Sequence, residues 1–213
     1  MAAMKPFCFY HVISSTGLNT HMRFSRFFTF LILFFSALNV VAASIKVEMK
    51  TNMGNVVLEL YPDQAPKTVE NFMRYVDEGF YNNTIFHCVI PNFMIQGGGF
   101  DTSLKQKPTR SPIQNEAAND LKNEIGTIAM ARTSDPHSAT AQFFINVANN
   151  AFLNYKTSTQ SGYGYTVFGK VISGIDVVQK IASLPTGSAG PFPTDVPKSA
   201  VIIESMTKLA DHP

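Results

Sequence analysis

Phe86-His87-Cys88-Val89-Ile90-Pro91-Asn92-Phe93-Met94-Ile95-Gln96-Gly97-Gly98-Gly99-Phe100 is the stretch from which the rest of this chain can be read. Aromatic, thioether and amide side chains stand close to three successive glycines. Thr84–Ile90 and Phe93–Gln96 read as short strands. Gly97-Gly98-Gly99 reads as a tight turn rather than a phosphate cradle, because no Lys-Ser/Thr pair follows it. A second stretch, Gln142-Phe143-Phe144-Ile145-Asn146, repeats the mixture of Gln and Phe. A third, Val167-Phe168-Gly169-Lys170-Val171, closes the set.

Towards the N-terminus, Ile45, Val47 and Met49 alternate with Lys46, Glu48 and Lys50, the period of a half-buried strand. Asn52-Met53-Gly54-Asn55 supplies turn residues, and Val56 to Leu60 returns as the second arm of a hairpin. Pro66 opens a helical pattern in which Val69, Phe72, Met73 and Val76 form one apolar stripe. Proline suits the first helical position, Glu70 is expected to meet the dipole's positive end, and Gly79 ends the run. Ser173 is expected to cap a second helix with Ile175, Val178, Ile181 and Ala182 on one face, stopped by Pro185. Further short β-like segments are Thr127–Ala131, Phe143–Val147, Tyr165–Val171 and Ala200–Thr207, the last after a Pro- and Gly-rich loop, Pro185–Pro197. Many short strands with two helices argue for a mainly β domain, an antiparallel barrel capped at its ends.

The first 43 residues read as an N-terminal extension and secretory signal. Arg23 and Arg26 are basic, Phe27 to Leu38 is apolar apart from Thr29 and Ser36, and Val41-Ala42-Ala43 supplies small residues for cleavage. The apolar run is shorter than the ~20 residues of a membrane span. Met22 directly precedes the basic residues and is the expected start, and Ser44 the expected mature N-terminus. Removing residues 1 to 43 takes away Lys5, Arg23 and Arg26. Fourteen of 17 basic residues then face all 15 acidic ones, and the formal charge is −1 instead of +2. The basic balance belongs to the leader and argues for no nucleic-acid partner. Residues 44–213 have the size of one ordinary domain, which buries about two-thirds of its unfolded surface. Cys8 leaves with the leader, so Cys88 is the only mature thiol and no internal disulfide can form.

Other chemistries find little support. His87 adjoins Cys88, but neighbouring side chains on a strand point to opposite faces, so the two do not form a nucleophile–base pair. No Gly-x-Ser-x-Gly elbow is present. Neither His137 nor His212 has a partner at ligand spacing, and no metal or cofactor is expected. Taken singly, each Phe or Met above reads as core rather than site, because such residues are mostly buried.

Taken together and in order, these residues resemble the cyclophilin family of peptidyl-prolyl cis-trans isomerases, the periplasmic bacterial type above all. The likeness runs from about Ile45 to Leu209. It implies a closed eight-stranded antiparallel β-barrel capped by two α-helices over residues 44–213. It implies that Phe93, Met94, Phe144 and Leu153 form a proline pocket, and that Gln96 and Gln142 bond the substrate backbone or hold the pocket in shape. Ala131 would line the adjoining groove. Phe152 stands where cyclophilin A-like members carry Trp, and Tyr165 where they carry His. The Trp N–H that cyclosporin uses is therefore absent, and weak cyclosporin binding is expected.

One departure outweighs these matches. Cys88 stands where the family carries its catalytic arginine, in F-H-R. A thiol is a weak donor with no fixed charge, on a side chain far shorter than a guanidinium fork. Arg132 and Arg110 are the candidates to replace it. The implied function is isomerisation of X–Pro bonds in unfolded or exported polypeptides, with the rate reduced by Cys88. The alternative is a non-catalytic proline-binding chaperone or interaction module on the same fold; a more distant one is an unrelated secreted β-barrel binding protein. The resemblance favours the periplasm, with full secretion as the alternative; no membrane attachment is expected after signal cleavage, and a monomer is the default for a domain with no apolar interface stripe beyond its core.

Overall fold

A computed structural model describes residues 44–210. The leader, Met22 and the cleavage point at Ser44 therefore concern residues that lie outside, or at the edge of, the described part, as does His212.

Ten strands and two α-helices follow in order: β1 (Ile45–Thr51), β2 (Gly54–Leu60), α1 (Pro66–Asp77), β3 (Thr84–Ile90), β4 (Met94–Asp101), β5 (Thr127–Met130), β6 (Phe143–Asn146), β7 (Val167–Ser173), α2 (Ile175–Ala182), β8 (Thr186–Ala189), β9 (Phe192–Pro197) and β10 (Ile202–Lys208). Eight of them close a barrel in the order β1-β10-β3-β4-β6-β5-β7-β2, and every neighbouring pair is antiparallel. Closure satisfies the edges that an open sheet would leave unpaired.

The period-two pattern has its expected consequence in the first hairpin. Val47 and Met49 on β1, with Val56, Leu58 and Leu60 on β2, are buried. Thr51 pairs with Gly54, and the Thr51 hydroxyl donates to the Gly54 carbonyl at 2.7 Å. Inside the barrel Phe72, Tyr75, Tyr81, Phe86, Phe143 and Phe168 form the aromatic heart of the core. The Tyr81 hydroxyl is satisfied there by the Ala141 carbonyl at 2.9 Å. Burial pushes its pKa up, which keeps it neutral.

Helix α1 turns its expected stripe inward: Val69, Phe72 and Val76 are buried and Met73 packs at the edge. Its N-terminus corrects one expectation. Glu70 lies beyond the first turn and instead pairs with Arg74, i to i+4, on the exposed face. The anion at the helix start is Glu116, remote in sequence. It accepts from the Lys67 and Thr68 amides at 3.1 and 2.8 Å and from the Thr68 hydroxyl at 2.7 Å. Helix α2 corrects two more. Its N-cap is Gly174, at φ +82°, while Ser173 ends β7. Val178, Ile181 and Ala182 are buried, but Ile175 is exposed.

The glycine triplet is not a turn. All three residues lie buried within β4, where pairing with β3 slips register around Phe86. A Cβ on Gly99 would stand 2.4 Å from Cγ of Gln142, and Gly98 has φ +80°. Close approach and bulged pairing are what glycine permits inside a strand. The segment 185–197 is likewise no simple loop: β8 and β9 pair as a separate two-stranded sheet, and β9 packs on β3.

Candidate active site

The strand period of two splits this sheet's side chains between the interior and a second, outward cluster. On β6, Phe143 enters the barrel core while Phe144 joins the outward group. On β4, Ile95 points in, and Met94 and Gln96 flank it on the other face. Register then aligns the outward row: Cys88 pairs with Gln96, Gln96 with Phe144, and Phe144 with Ala129. Met94, Ala129, Phe144, Leu153 and Val167 form the buried floor, with Cys88, Phe93, Ala131 and Tyr165 packed at its margin.

This floor opens into a pocket of about 110 Å³ lined by Phe93, Met94, Gln96, Ala131, Arg132, Phe144, Leu153 and Tyr165. A drug-sized ligand needs about 300–1,000 Å³; this pocket suits a single small ring. The Phe144 ring meets Tyr165 edge-on, with centroids 5.6 Å apart. Gln96 Nε2 donates to Gln142 Oε1 at 2.9 Å, which fixes both amides at the rim. Phe152 is 64% exposed and stacks on Phe93 at 5.6 Å, so it extends the pocket's wall outward rather than lining its floor.

The two candidate arginines part company. Arg132 lines the pocket, its guanidinium 4.5 Å from the Tyr165 ring centroid. Arg132 Nε donates to the Gly164 carbonyl at 2.9 Å and Nη1 to the Thr133 carbonyl at 2.8 Å. Arg110 is elsewhere: it pairs with Glu78 and helps line a separate cleft with Lys67 and Arg74. It cannot serve as the donor at position 88.

Cys88 is half-buried beside the pocket cluster. Burial, and secondarily the Asp195 carboxylate, raise its pKa, so the side chain is a neutral thiol at neutral pH. His87 is 4% exposed and faces away, packed against the rings of Phe100 and Phe192 at centroid distances of 4.6 and 5.3 Å. Its Nδ1 has no hydrogen-bond partner, and burial lowers its pKa to about 4. Among the described residues no three His, Cys, Asp or Glu side chains converge as metal ligands.

Sequence reasoning missed the groups that hold this pocket in shape. Asn123, Asn146 and Asn150 are buried and linked, with Asn150 Nδ2 donating to Asn146 Oδ1 at 2.7 Å and Asn146 Nδ2 to Asn123 Oδ1 at 3.2 Å. Asn150 also donates to the Phe93 carbonyl at 2.9 Å, and Asn123 to those of Leu153 and Tyr165 at 3.3 and 3.4 Å. Three pocket residues are thus tied by their backbones to one network. The only sequence signal is a richness in Asn, which turns share.

Such a pocket can grip a proline ring, while its amides and Arg132 address the flanking backbone. Rotation about the prolyl amide breaks no bond to carbon; the barrier of ~18–20 kcal/mol comes from resonance. A site that binds the twisted amide better than either planar form lowers that barrier. Fold and pocket together define a closed antiparallel barrel with a small apolar pocket and an amide rim on its outer face. The family model described as Cyclophilin type peptidyl-prolyl cis-trans isomerase/CLD matches residues 46–208. Peptidyl-prolyl cis-trans isomerase B of Escherichia coli K12 is 58% identical over 161 residues, 76% of this chain and 98% of that protein. Peptidyl-prolyl cis-trans isomerase A of Dickeya dadantii is 50% identical over 171 residues, 80% of this chain and 88% of that protein. A crystal structure of a Cryptosporidium parvum cyclophilin type peptidyl-prolyl cis-trans isomerase superposes with a TM-score of 0.64 at 27% identity, covering 80% of this chain and all of that one. The chain belongs to the cyclophilin-type peptidyl-prolyl cis-trans isomerases, a family that acts on proline-containing peptides.

Proposed function

We propose that the protein isomerises X–Pro bonds in unfolded or exported polypeptides, at a rate held down by Cys88. The observation that carries this is the pocket of Phe93, Met94, Phe144, Leu153 and Tyr165, with Gln96 and Arg132 at its rim. A related Cryptosporidium parvum structure was determined in the presence of the dipeptide Ala-Pro, which supports proline as the occupant. Loss of one preorganised donor costs roughly 10²–10³ in rate. Arg132 is already committed to two carbonyls and the Tyr165 ring, so it compensates only in part. A second reading, a proline-binding chaperone or interaction module without turnover, is favoured by the same neutral thiol. The basic, apolar and small-residue succession of Arg23 to Ala43 supports export and cleavage before Ser44, while the family resemblance favours the periplasm over secretion and a monomer free of the membrane is the default. Without an indole donor at Phe152, cyclosporin should bind weakly, and a nanomolar complex by titration would count against that.

The test compares cis-to-trans isomerisation of a prolyl peptide by the native protein and by Cys88→Arg. A gain of about a hundredfold supports a weak isomerase limited at position 88. Equal rates mean another group supplies the donor. Peptide binding with no turnover in the native protein favours the second reading, and binding that survives Phe144→Ala rejects the pocket.

A further inference from the structure

The large hydrophobic side chains left exposed among the described residues are Ile125, Phe152, Ile172 and Ile175. They come from three stretches of chain, so no sequence period announces them, yet the fold gathers them on one flank of the barrel. The Val171 amide donates to the Gly126 carbonyl at 2.8 Å, one step beyond the Thr127–Lys170 pair of β5 and β7. The next step of that register sets Ile125 opposite Ile172. Ile175, at the start of α2, brings its Cδ1 to 3.5 Å from where a Cβ on Gly126 would stand. Towards the pocket, the Ile125 amide donates to Asn149 Oδ1 at 3.0 Å, and the Asn150 amide to the Asn123 carbonyl at 2.8 Å. The turn that follows, Ala151–Leu153, carries Phe152, which stacks on Phe93 at the pocket wall. An apolar ridge therefore runs from the pocket wall to the start of α2, interrupted by Asn149. Single exposed hydrophobics are ordinary, but adjoining ones beside a site mark a contact surface. Four partly exposed side chains present on the order of 400 Å², about half of what each partner of a stable dimer buries, so a second copy is a poor fit. Neighbouring exposed charges cancel, Lys122 and Lys170 against Glu124 and Asp176, so no charged partner is favoured.

We propose that this ridge is a secondary binding surface for the substrate chain itself: an apolar segment of an unfolded polypeptide lies along Ile125, Ile172 and Ile175 while its proline occupies the pocket. This rests on the reading of the pocket as an X–Pro site. At about 110 Å³ the pocket takes one ring, so the rest of a polypeptide must lie on the surface around it. Phe152, continuous with both pocket and ridge, is where the chain would pass from one to the other. An unfolded chain exposes the apolar side chains that a native protein buries, so the ridge favours unfolded clients over folded proteins that display a prolyl loop. Its contacts are the same whether the distant prolyl bond is planar or twisted, so it lowers KM and leaves kcat alone.

The test uses blocked peptides in which a proline is preceded or followed by about six Leu/Val-rich or Ser/Thr-rich residues, a stretch of ~20 Å when extended. A prolyl tetrapeptide, too short to reach the ridge, is the reference. Affinity and isomerisation are read together by NMR exchange. The Leu/Val-rich peptide of one series should exceed its Ser/Thr-rich counterpart by about tenfold in affinity or 1/KM. That advantage should persist at about 0.5 M salt, where exposed charges are screened but apolar contact is not. It should fall towards one when Ile125→Thr, Ile172→Thr and Ile175→Thr are combined, with kcat/KM for the tetrapeptide unchanged. Ile125→Lys, at the most exposed of the three positions, should reduce it by itself with little risk to folding, which thermal unfolding checks. Equal affinity for the two long peptides, or an advantage that survives both variants, overturns the assignment while tetrapeptide turnover keeps the X–Pro reading standing. A native dimer in sedimentation that the triple variant dissociates overturns it in favour of a second copy. If none of the peptides is bound or turned over, the X–Pro reading fails and the assignment falls with it.

Discussion

His87 ties the stability of this barrel to acid. Its ring packs against Phe100 and Phe192, which meet each other edge-on at 4.9 Å, and Nδ1 has no partner, so folding strips it of water without giving it a counter-charge. Desolvation lowers its pKa from 6.5 to about 4, against a smaller opposing effect of the Ile85 backbone. The unfolded chain therefore takes up this proton first. The contribution to stability is complete above about pH 6.5, declines as pH falls, and is gone below about pH 4. A tenfold difference in proton affinity between folded and unfolded chain corresponds to about 1.4 kcal/mol, so the loss across that window is about 3 kcal/mol. That is a large part of the 5–15 kcal/mol typical of a domain. The assay is urea unfolding at steps from pH 7 to pH 4, for the native protein and for His87→Phe. The phenyl ring suits a cluster of three aromatic rings and cannot titrate. Carboxylates titrate in both proteins, so the difference between the two curves isolates position 87. The difference should grow steadily below about pH 6.5 in favour of the variant. Parallel curves, or an NMR titration of the His87 ring with a midpoint near 6.5, would overturn this account.

Two further outcomes follow from the pocket's supports. Asn150→Ala should cost about 2–3 kcal/mol, because it strands buried acceptors on Phe93 and Asn146. Thermal unfolding checks the stability, and a raised KM for prolyl peptides checks the pocket. Gly99→Ala should lower kcat/KM by about tenfold or more with a smaller effect on stability. The new methyl would stand 2.4 Å from Gln142 Cγ and push that amide off Gln96; unchanged kinetics would show that the Gln96–Gln142 bond does not matter.

Much of the fold is legible in the sequence, for a local reason. Ile45–Lys50 and the stripe of Val69, Phe72 and Val76 announce themselves by period, because one face of each element must leave water. The pocket residues Phe93, Met94, Phe144, Leu153 and Tyr165 are legible only through order and resemblance, since a single Phe reads as core. Phe143 and Phe144 show why: adjacent and chemically identical, they part to opposite faces of β6.

The strand and helix periods, the size of the domain and the unusual thiol at position 88 can thus be read from the chain alone. Whatever depends on groups far apart in the chain is set by tertiary packing. It placed Glu116 on the first turn of α1, 48 positions from Thr68. It joined Asn123 to Asn146 and Asn150 beneath the pocket, and sent Arg132 to the rim but Arg110 to Glu78. It turned Gly97-Gly98-Gly99 from an apparent turn into a bulged strand, because Gln142 and Phe86 arrive there from elsewhere. Local periodicity records which face a residue shows; only closure of the barrel determines what that face meets.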